Sequence, residues 1–216
     1  MLTSYLKTAA DIFLPRLCFS CETKITGGSL CPDCRERIQF LYPPLCRFCS
    51  LPIYAENTTC CPACQQKTPY YNRLISVAAD QDPLNVLIRQ FSDNHCDWLA
   101  KDLALLMAGH LRETEFMPWI YNFITAVPTP PAQTKERGYN PAALLAKELA
   151  KVFKIPYLDD IIYAGNSSAR LDELGIILVD TVFFGAGPIN ENALKLKTCG
   201  AKRVTALTLA RSMRQG

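Results

Sequence analysis

The stretch GIILVDTVFFGAGPINENALKLKTCGA, residues 175–201, decides how the chain is read. Ile176, Ile177, Leu178 and Val179 form an unbroken apolar run, the pattern of a strand covered on both faces of a parallel sheet. The run meets an acid, Asp180, and then a glycine-containing turn. Pro188 opens a helical pattern that reaches Cys199 and stops at Gly200; proline suits the first turn of a helix and glycine the position after its last. A strand that enters a helix through such a turn is a common frame for a phosphate, because the helix N-terminus offers free amides and the favourable end of the dipole. Thr181, Gly185, Ala186 and Gly187 fall in the turn, with Phe183 and Phe184 among them.

The flanking sequence alternates in the same way. Residues 73–80 read as a strand. Asp82-Pro83 signals a helix start, continued on one face by Leu84, Leu87, Ile88 and Phe91. A second helix is expected over 98–113, its apolar face carrying Leu99, Leu103, Leu106, Met107 and His110 or Leu111. Residues 123–127 make a short buried strand closed by Pro128. A loop rich in Pro, Gln and Thr then runs to Gly138, and Asn140 caps a helix that reaches Phe153. Strands are expected over 157–163 and 204–209. Alternating strands and helices give a mostly parallel α/β sheet, whose ligands bind at the carboxyl ends of the strands. Two loops belong there, residues 128–139 and 181–187.

The first third of the chain is of another kind. CFSCETKITGGSLCPDC supplies Cys18, Cys21, Cys31 and Cys34, and CRFCSLPIYAENTTCCPAC supplies Cys46, Cys49, Cys61 and Cys64. Two cysteines three apart place both sulfurs on one metal ion, and two such pairs joined by a hairpin complete a tetrahedral site of four sulfurs. Nine residues separate the pairs in the first unit and eleven in the second, and turn formers such as Thr26-Gly27-Gly28-Ser29 and Glu56-Asn57-Thr58-Thr59 lie between them. Two structural zinc ions are expected, paired within each unit in preference to a crossed arrangement. Cys60 is a register rival to Cys61, which repeats the CPxC form of Cys31. Cys96, Cys199, His95 and His110 have no partners in sequence and are read as bystanders.

Residues 1–15 space Leu2, Tyr5, Leu6, Ala9, Ile12 and Phe13 as on one face of a helix, which gives three expected parts: an amphipathic helix (1–15), a double zinc ribbon (16–70) and an α/β domain (71–216). Residues 1–70 carry 7 basic and 5 acidic groups, and residues 71–216 carry 16 and 15, so no basic stripe points to nucleic acid. No apolar run reaches the roughly 18 residues of a membrane span. Eleven cysteines without an export signal suit a reducing, cytoplasmic setting.

With the paired CxxC units, the AVPTP strand end, the ERGYNPAALLAKELA segment, the ILVD strand and the closing GAKRVTALTLAR in this order, the chain resembles the ComF/GntX family of phosphoribosyltransferase-like proteins. The resemblance implies a type I phosphoribosyltransferase fold behind the zinc module. It implies a site in which two carboxylates hold the ribose of phosphoribosyl pyrophosphate, a TTG-type turn holds its 5′-phosphate, and magnesium bridges the pyrophosphate. It also implies a link to DNA uptake or competence, with single-stranded DNA or DNA-uptake proteins as partners.

Asp180 matches the first of those carboxylates and stands as the candidate catalytic residue. Thr181 occupies the second position. Phe183 and Phe184 replace hydroxyls, Gly187 replaces the last Thr/Ser, and Pro188 has no N–H to give. Gln90-Phe91 lacks an expected lysine, and residues 164–173 stand for a longer basic stretch, with Arg170 its only base. The reading is therefore a degenerate site with weak or no catalysis. Two alternatives stand beside it. In an active enzyme, Asp180 would hold the ribose, residues 181–187 the phosphate, and Arg137 the pyrophosphate. In a nucleic-acid-binding zinc ribbon, the sheet would be an inert scaffold.

Overall fold

The computed structural model describes residues 16–54, 58–159 and 171–213. Strands β1 (Arg16–Leu17) and β2 (Lys24–Ile25) pair antiparallel. Helices α1 (Pro32–Glu36) and α2 (Pro62–Gln66) each start at a Cys-Pro step. The rest alternates: β3 (Arg73–Ala79), α3 (Leu84–Asp93), α4 (Leu99–Glu113), β4 (Phe123–Ala126), α5 (Pro131–Arg137), α6 (Pro141–Phe153), β5 (Gly175–Phe183), α7 (Gly187–Thr198) and β6 (Arg203–Arg211).

The four long strands lie in the order β3-β6-β5-β4, each pair parallel. The apolar run is on a central strand: Ile177 stands opposite Ile124 on one side and Thr205 on the other. Successive side chains of a strand face opposite ways. Ile177 and Val179 accordingly enter the core formed with α3, α4 and α6, while Ile176 and Leu178 enter the core formed with α7. Covering on both faces is why the run does not alternate with polar residues. On α4, Leu99, Leu103, Met107 and Leu111 are buried at helical spacing. His110 is buried on the same helix and stacks on Phe40 with ring centroids 5.3 Å apart.

Both edges of the sheet are covered. Beyond β4, Tyr157 forms a parallel bridge with Ile124. Beyond β3, Leu41 N–H donates to the Val77 carbonyl at 2.9 Å and Ala79 N–H to that of Gln39 at 2.9 Å. The second cysteine unit lies against the same strand. Leu74 N–H donates to the Arg47 carbonyl at 2.9 Å, and the Ser50 hydroxyl links the Leu74 carbonyl to the Ser76 amide. Tyr71 donates to the Phe48 carbonyl at 2.7 Å. The guanidinium of buried Arg211 on β6 donates to the Cys49 carbonyl. A row of strand groups that would otherwise be open to pairing with another chain is thus closed by the ribbon.

The structure corrects four sequence expectations. Residues 128–139 are not all loop: Pro131 at a first helical position and left-handed Gly138 (φ 78°) at the end frame helix α5. Strand β5 continues past Asp180 to Phe183, because β6 continues beside it and pairs Val182 with Ala210 and Phe183 with Arg211. The last strand is correspondingly longer than 204–209. The turn into α7 is only Phe184, Gly185 and Ala186, and Gly187 is already helical. The expected helix over 1–15, the Glu56-Asn57 part of the turn, the 157–163 strand beyond Asp159 and the stretch to Arg170 lie outside the described residues.

Candidate functional site

The two cysteine units are one local design used twice. In the first, Cys18 N–H donates to the Thr23 carbonyl and Glu22 N–H to that of Cys18, both at 2.9 Å. In the second, Cys46 N–H donates to Leu51 at 2.7 Å and Ser50 N–H to Cys46 at 2.9 Å. The residue after each second cysteine, Glu22 or Ser50, takes a left-handed conformation to turn the chain. Cys31 and Cys61 then cap α1 and α2, the proline that follows each serving as the first helical residue.

These turns gather Cys18, Cys21, Cys31 and Cys34 into one cluster and Cys46, Cys49, Cys61 and Cys64 into another, the sulfurs of each set within 4.8 Å of one another. Cys61, not Cys60, belongs to the second set. A tetrahedron with zinc–sulfur bonds of about 2.3 Å places its sulfurs about 3.8 Å apart. The Cys21–Cys31 and Cys49–Cys61 separations are 3.5 and 3.7 Å. Amides point at the sulfurs, Cys34 N–H to Cys31 at 3.4 Å and Cys61 N–H to Cys46 at 3.3 Å, and Arg37 donates to the Cys34 sulfur at 2.8 Å. Burial pushes the Cys49 thiol up to about 12, so a bound cation is what lets a thiolate sit there. Each set fits one zinc, closed to substrate by four sulfurs, whose chemistry when bound is to hold the two turns together.

The second feature is the carboxyl end of the sheet. A cleft of about 970 Å³ lies between the starts of α5 and α6 and the start of α7. Asp180, Thr181 and Arg137 line it, with Asn140, Asn192 and Lys195. Asp180 is half-buried, and its Oδ1 accepts the amide of Thr181 at 2.7 Å. Burial raises its carboxyl to about 6, against the smaller opposing pull of that amide. Arg137 is held at 3.1 Å by Asp93, and its carbonyl accepts from His95 Nδ1 at 3.0 Å. Asn140 accepts the Ala143 amide as the cap of α6 and donates to the Val127 carbonyl, which fixes the floor.

The candidate phosphate turn is not assembled in this cleft. Gly185, Ala186 and Gly187 are exposed and do not line it, although Phe184 and Pro188 do. Phe183 is buried beneath the Arg211 guanidinium, 5.3 Å from its ring centroid, while Phe184 is 77% exposed. Pro188 takes the second position of α7 and removes an amide that an anion would use. Thr181 sits within the strand, so no second carboxylate follows Asp180. The arrangement can seat a polar ligand on Arg137 and Lys195, but the described residues supply no ring of donors for a dianion.

Sequence reasoning missed Lys195, Asn192, Arg211 and a second cleft. Asn192 and Lys195 stand about one and two turns past Pro188 on α7, a spacing that could have pointed to them. Arg211 extends the apolar alternation of β6 and was hidden by ending that strand early. The second cleft, about 1020 Å³, is lined by Asp80, Asn85, Arg89, Asp93 and Ser212 and shares Arg137, Thr181, Val182 and Phe184 with the first. Its residues come from strand ends far apart in sequence, which no local pattern joins.

Residues 9–65 match the double zinc ribbon domain family. The chain is 26% identical to Competence protein F of Haemophilus influenzae over 226 residues, covering 90% of this chain and 96% of that protein. It is 30% identical over 143 residues to the DNA utilization protein YhgH of Escherichia coli K12, covering 64% of this chain and 62% of that one. Among solved structures, the HGPRT-ase from Leishmania tarentolae in complex with GMP is similar over 56% of this chain and 71% of that chain, at 12% identity and a TM-score of 0.30, too loose a likeness to carry weight. No helix among the described residues is long and apolar enough to cross a membrane.

Proposed function

We propose, on the premise that the chain is a ComF-like protein, that it takes part in DNA uptake or utilisation and acts by binding, with weak or no phosphoribosyl transfer. The link to DNA is supported by the names of its relatives, Competence protein F and DNA utilization protein YhgH. The binding-only part rests on one observation: the segment after Asp180 continues as strand through Phe183 and then exposes Phe184 and Pro188 where a phosphate would need donors. A charge-assisted hydrogen bond contributes on the order of 1.5–3 kcal/mol, so losing two or three such bonds weakens a sugar phosphate by several powers of ten. Magnesium, whose place in the reaction would be at the pyrophosphate, has little to work with here. Asp180 is followed by Thr181, and the first cleft sets Arg137 and Lys195 beside Glu191.

One feature favours an active enzyme: a carboxyl raised to about 6 in a cleft has the acidity of a general acid or base. Burial is what raises it, and no charged group among the described residues contributes to the shift. Two experiments test the proposal. A strain without this chain is expected to grow poorly on DNA as carbon source and to recover on complementation. The purified protein is expected to release no pyrophosphate from phosphoribosyl pyrophosphate with magnesium and any nucleobase. Unimpaired growth on DNA would remove the uptake link, and steady pyrophosphate release would remove the binding-only reading.

A further inference from the structure

Four thiolates outweigh one zinc ion by two charges, so each zinc site carries surplus negative charge when loaded. Each site is met by an arginine, and the two arginines differ in where they come from. At the first site the arginine is local. Arg37 follows Cys34 by three residues, donates to its sulfur at 2.8 Å and lies exposed, where water screens its charge. At the second site the arginine comes from 162 residues away. Arg211, the last residue of β6, is only 8% exposed, and its Nη1 donates to the Cys49 carbonyl. It forms no ion pair with a carboxylate among the described residues, and its Nε has no hydrogen-bond partner there. Its other neighbour is the buried ring of Phe183. One neutral carbonyl and one ring face are poor compensation for a buried cation, which needs an opposite charge. The buried ligands Cys46 and Cys49 supply that charge once they hold zinc, in surroundings that leave it unscreened. Burial raises the Cys49 thiol most; the Leu51 amide and the Arg211 charge both pull it the other way. Arg47, within the second unit itself, is exposed and its Nε is used on the Asn72 carbonyl at 2.7 Å.

We propose that Arg211 is the counter-charge of the second zinc site, supplied by the last strand of the sheet. Retention of this zinc then depends on the carboxyl end of the sheet, whereas the first zinc is held by its own ribbon. The inference concerns metal retention and does not require the link to DNA uptake.

The test is zinc retention by the full chain against a competing chelator. Alkylation of the freed cysteines, read by mass spectrometry, identifies which site has emptied. Arg211→Met keeps an apolar stem against Phe183 and removes the charge. It is expected to weaken the second site about 10–100-fold, the range for losing an outer partner of a metal site, and to leave the first unchanged. Arg211→Lys keeps the charge with a different donor geometry and should hold the second zinc within about threefold of the wild type. Arg211→Gln keeps a donor for the Cys49 carbonyl without the charge and should fall with Arg211→Met. Arg37→Met should weaken the first site less than about tenfold, because solvent already screens that charge. A purely structural role gives another pattern. Arg211→Gln would bind as the wild type if only the hydrogen bond mattered, and Arg211→Lys would fall as far as Arg211→Met if the planar fork mattered. Either result overturns the proposal, as does an unchanged second site in Arg211→Met or a first site that empties along with it. If Arg211→Met does not fold, the comparison of Arg211→Lys with Arg211→Gln decides. Retention of fold and zinc by Arg211→Lys alone supports the counter-charge, and an Arg211→Lys protein that does not fold or loses its second zinc overturns it.

Discussion

Replacing one ligand in each zinc site separates the two ribbons, and the second is expected to matter far more to the sheet. Cys46 is buried in the core that Tyr71, Leu74, Ile176 and Leu178 share, whereas the first site has its own small cluster of Cys18, Cys31 and Cys34. The second unit also holds β3 through Leu74 N–H to Arg47, both bonds of Ser50, and Tyr71 to Phe48, and it holds β6 through Arg211 to Cys49. At about 1 kcal/mol for each neutral bond and about 2 for the charge-assisted one, losing this set costs about 6 kcal/mol. A chain of this size loses about 2–4 °C of Tm per kcal/mol, so Cys46→Ser should lower Tm by about 12–24 °C. The first ribbon is tied to the sheet domain through Ser29, which donates to Asp102 at 2.6 Å, and through Phe19, whose ring lies 5.7 Å from that of Trp98. Those contacts amount to about 2–3 kcal/mol, so Cys21→Ser should cost about 4–12 °C, roughly half or less of the fall in Cys46→Ser. Near-ultraviolet circular dichroism during heating gives both transitions, and a colorimetric zinc assay should show one ion lost from each variant. Equal falls in Tm would refute the reasoning, since they would make the first ribbon as integral to the sheet as the second.

Other predictions follow from single groups. The carboxyl of Asp180 is raised by burial from 3.8 to about 6, so the folded state favours its protonated form, and its ionisation removes stability as pH rises from about 4 through about 6. Asp180→Asn should therefore be more stable than the wild type by up to about 3 kcal/mol at pH 7–8, with roughly half of that gain left at pH 5; an equal gain at both would contradict it. Gly200 follows α7 at φ 97°, and a Cβ there would meet the Asp172 carboxylate. Gly200→Ala should cost about 1–2 kcal/mol in urea unfolding, and a neutral result would show that the turn can relax. Burial holds the His110 imidazole below its ordinary pKa, so it remains neutral in the fold, and the stability it contributes is lost as pH falls below about 6.5. His110→Phe, which keeps the stack on Phe40, should flatten that part of the acid limb, and an unchanged limb would exclude it.

How much of this was legible in the sequence depends on how local each signal is. The CxxC spacing carries its own geometry, because two sulfurs three residues apart can reach one ion without help from the rest of the chain. The unbroken run at residues 176–179 marked a central parallel strand for the same kind of reason. The end of that strand was not legible: Thr181, Val182 and Phe183 contain no turn former, and only the pairing of Val182 with Ala210 and Phe183 with Arg211 shows that they stay in the sheet. Helix α5 was hidden by its prolines, which suit a loop as well as a first helical turn. Arg211 reads as a terminal surface charge until the second ribbon is in place to bury it. The second cleft depends on the strand order β3-β6-β5, which brings Asp80 beside Thr181 across about a hundred residues of sequence.

The most direct test of the account is a calorimetric titration of the purified, zinc-loaded protein with phosphoribosyl pyrophosphate in the presence of magnesium. With Asp180 alone among the ribose carboxylates, Phe184 in the turn and Pro188 in the first turn of α7, no saturable binding is expected below millimolar ligand. Micromolar affinity that disappears in Asp180→Asn would contradict the account and show a working sugar-phosphate site.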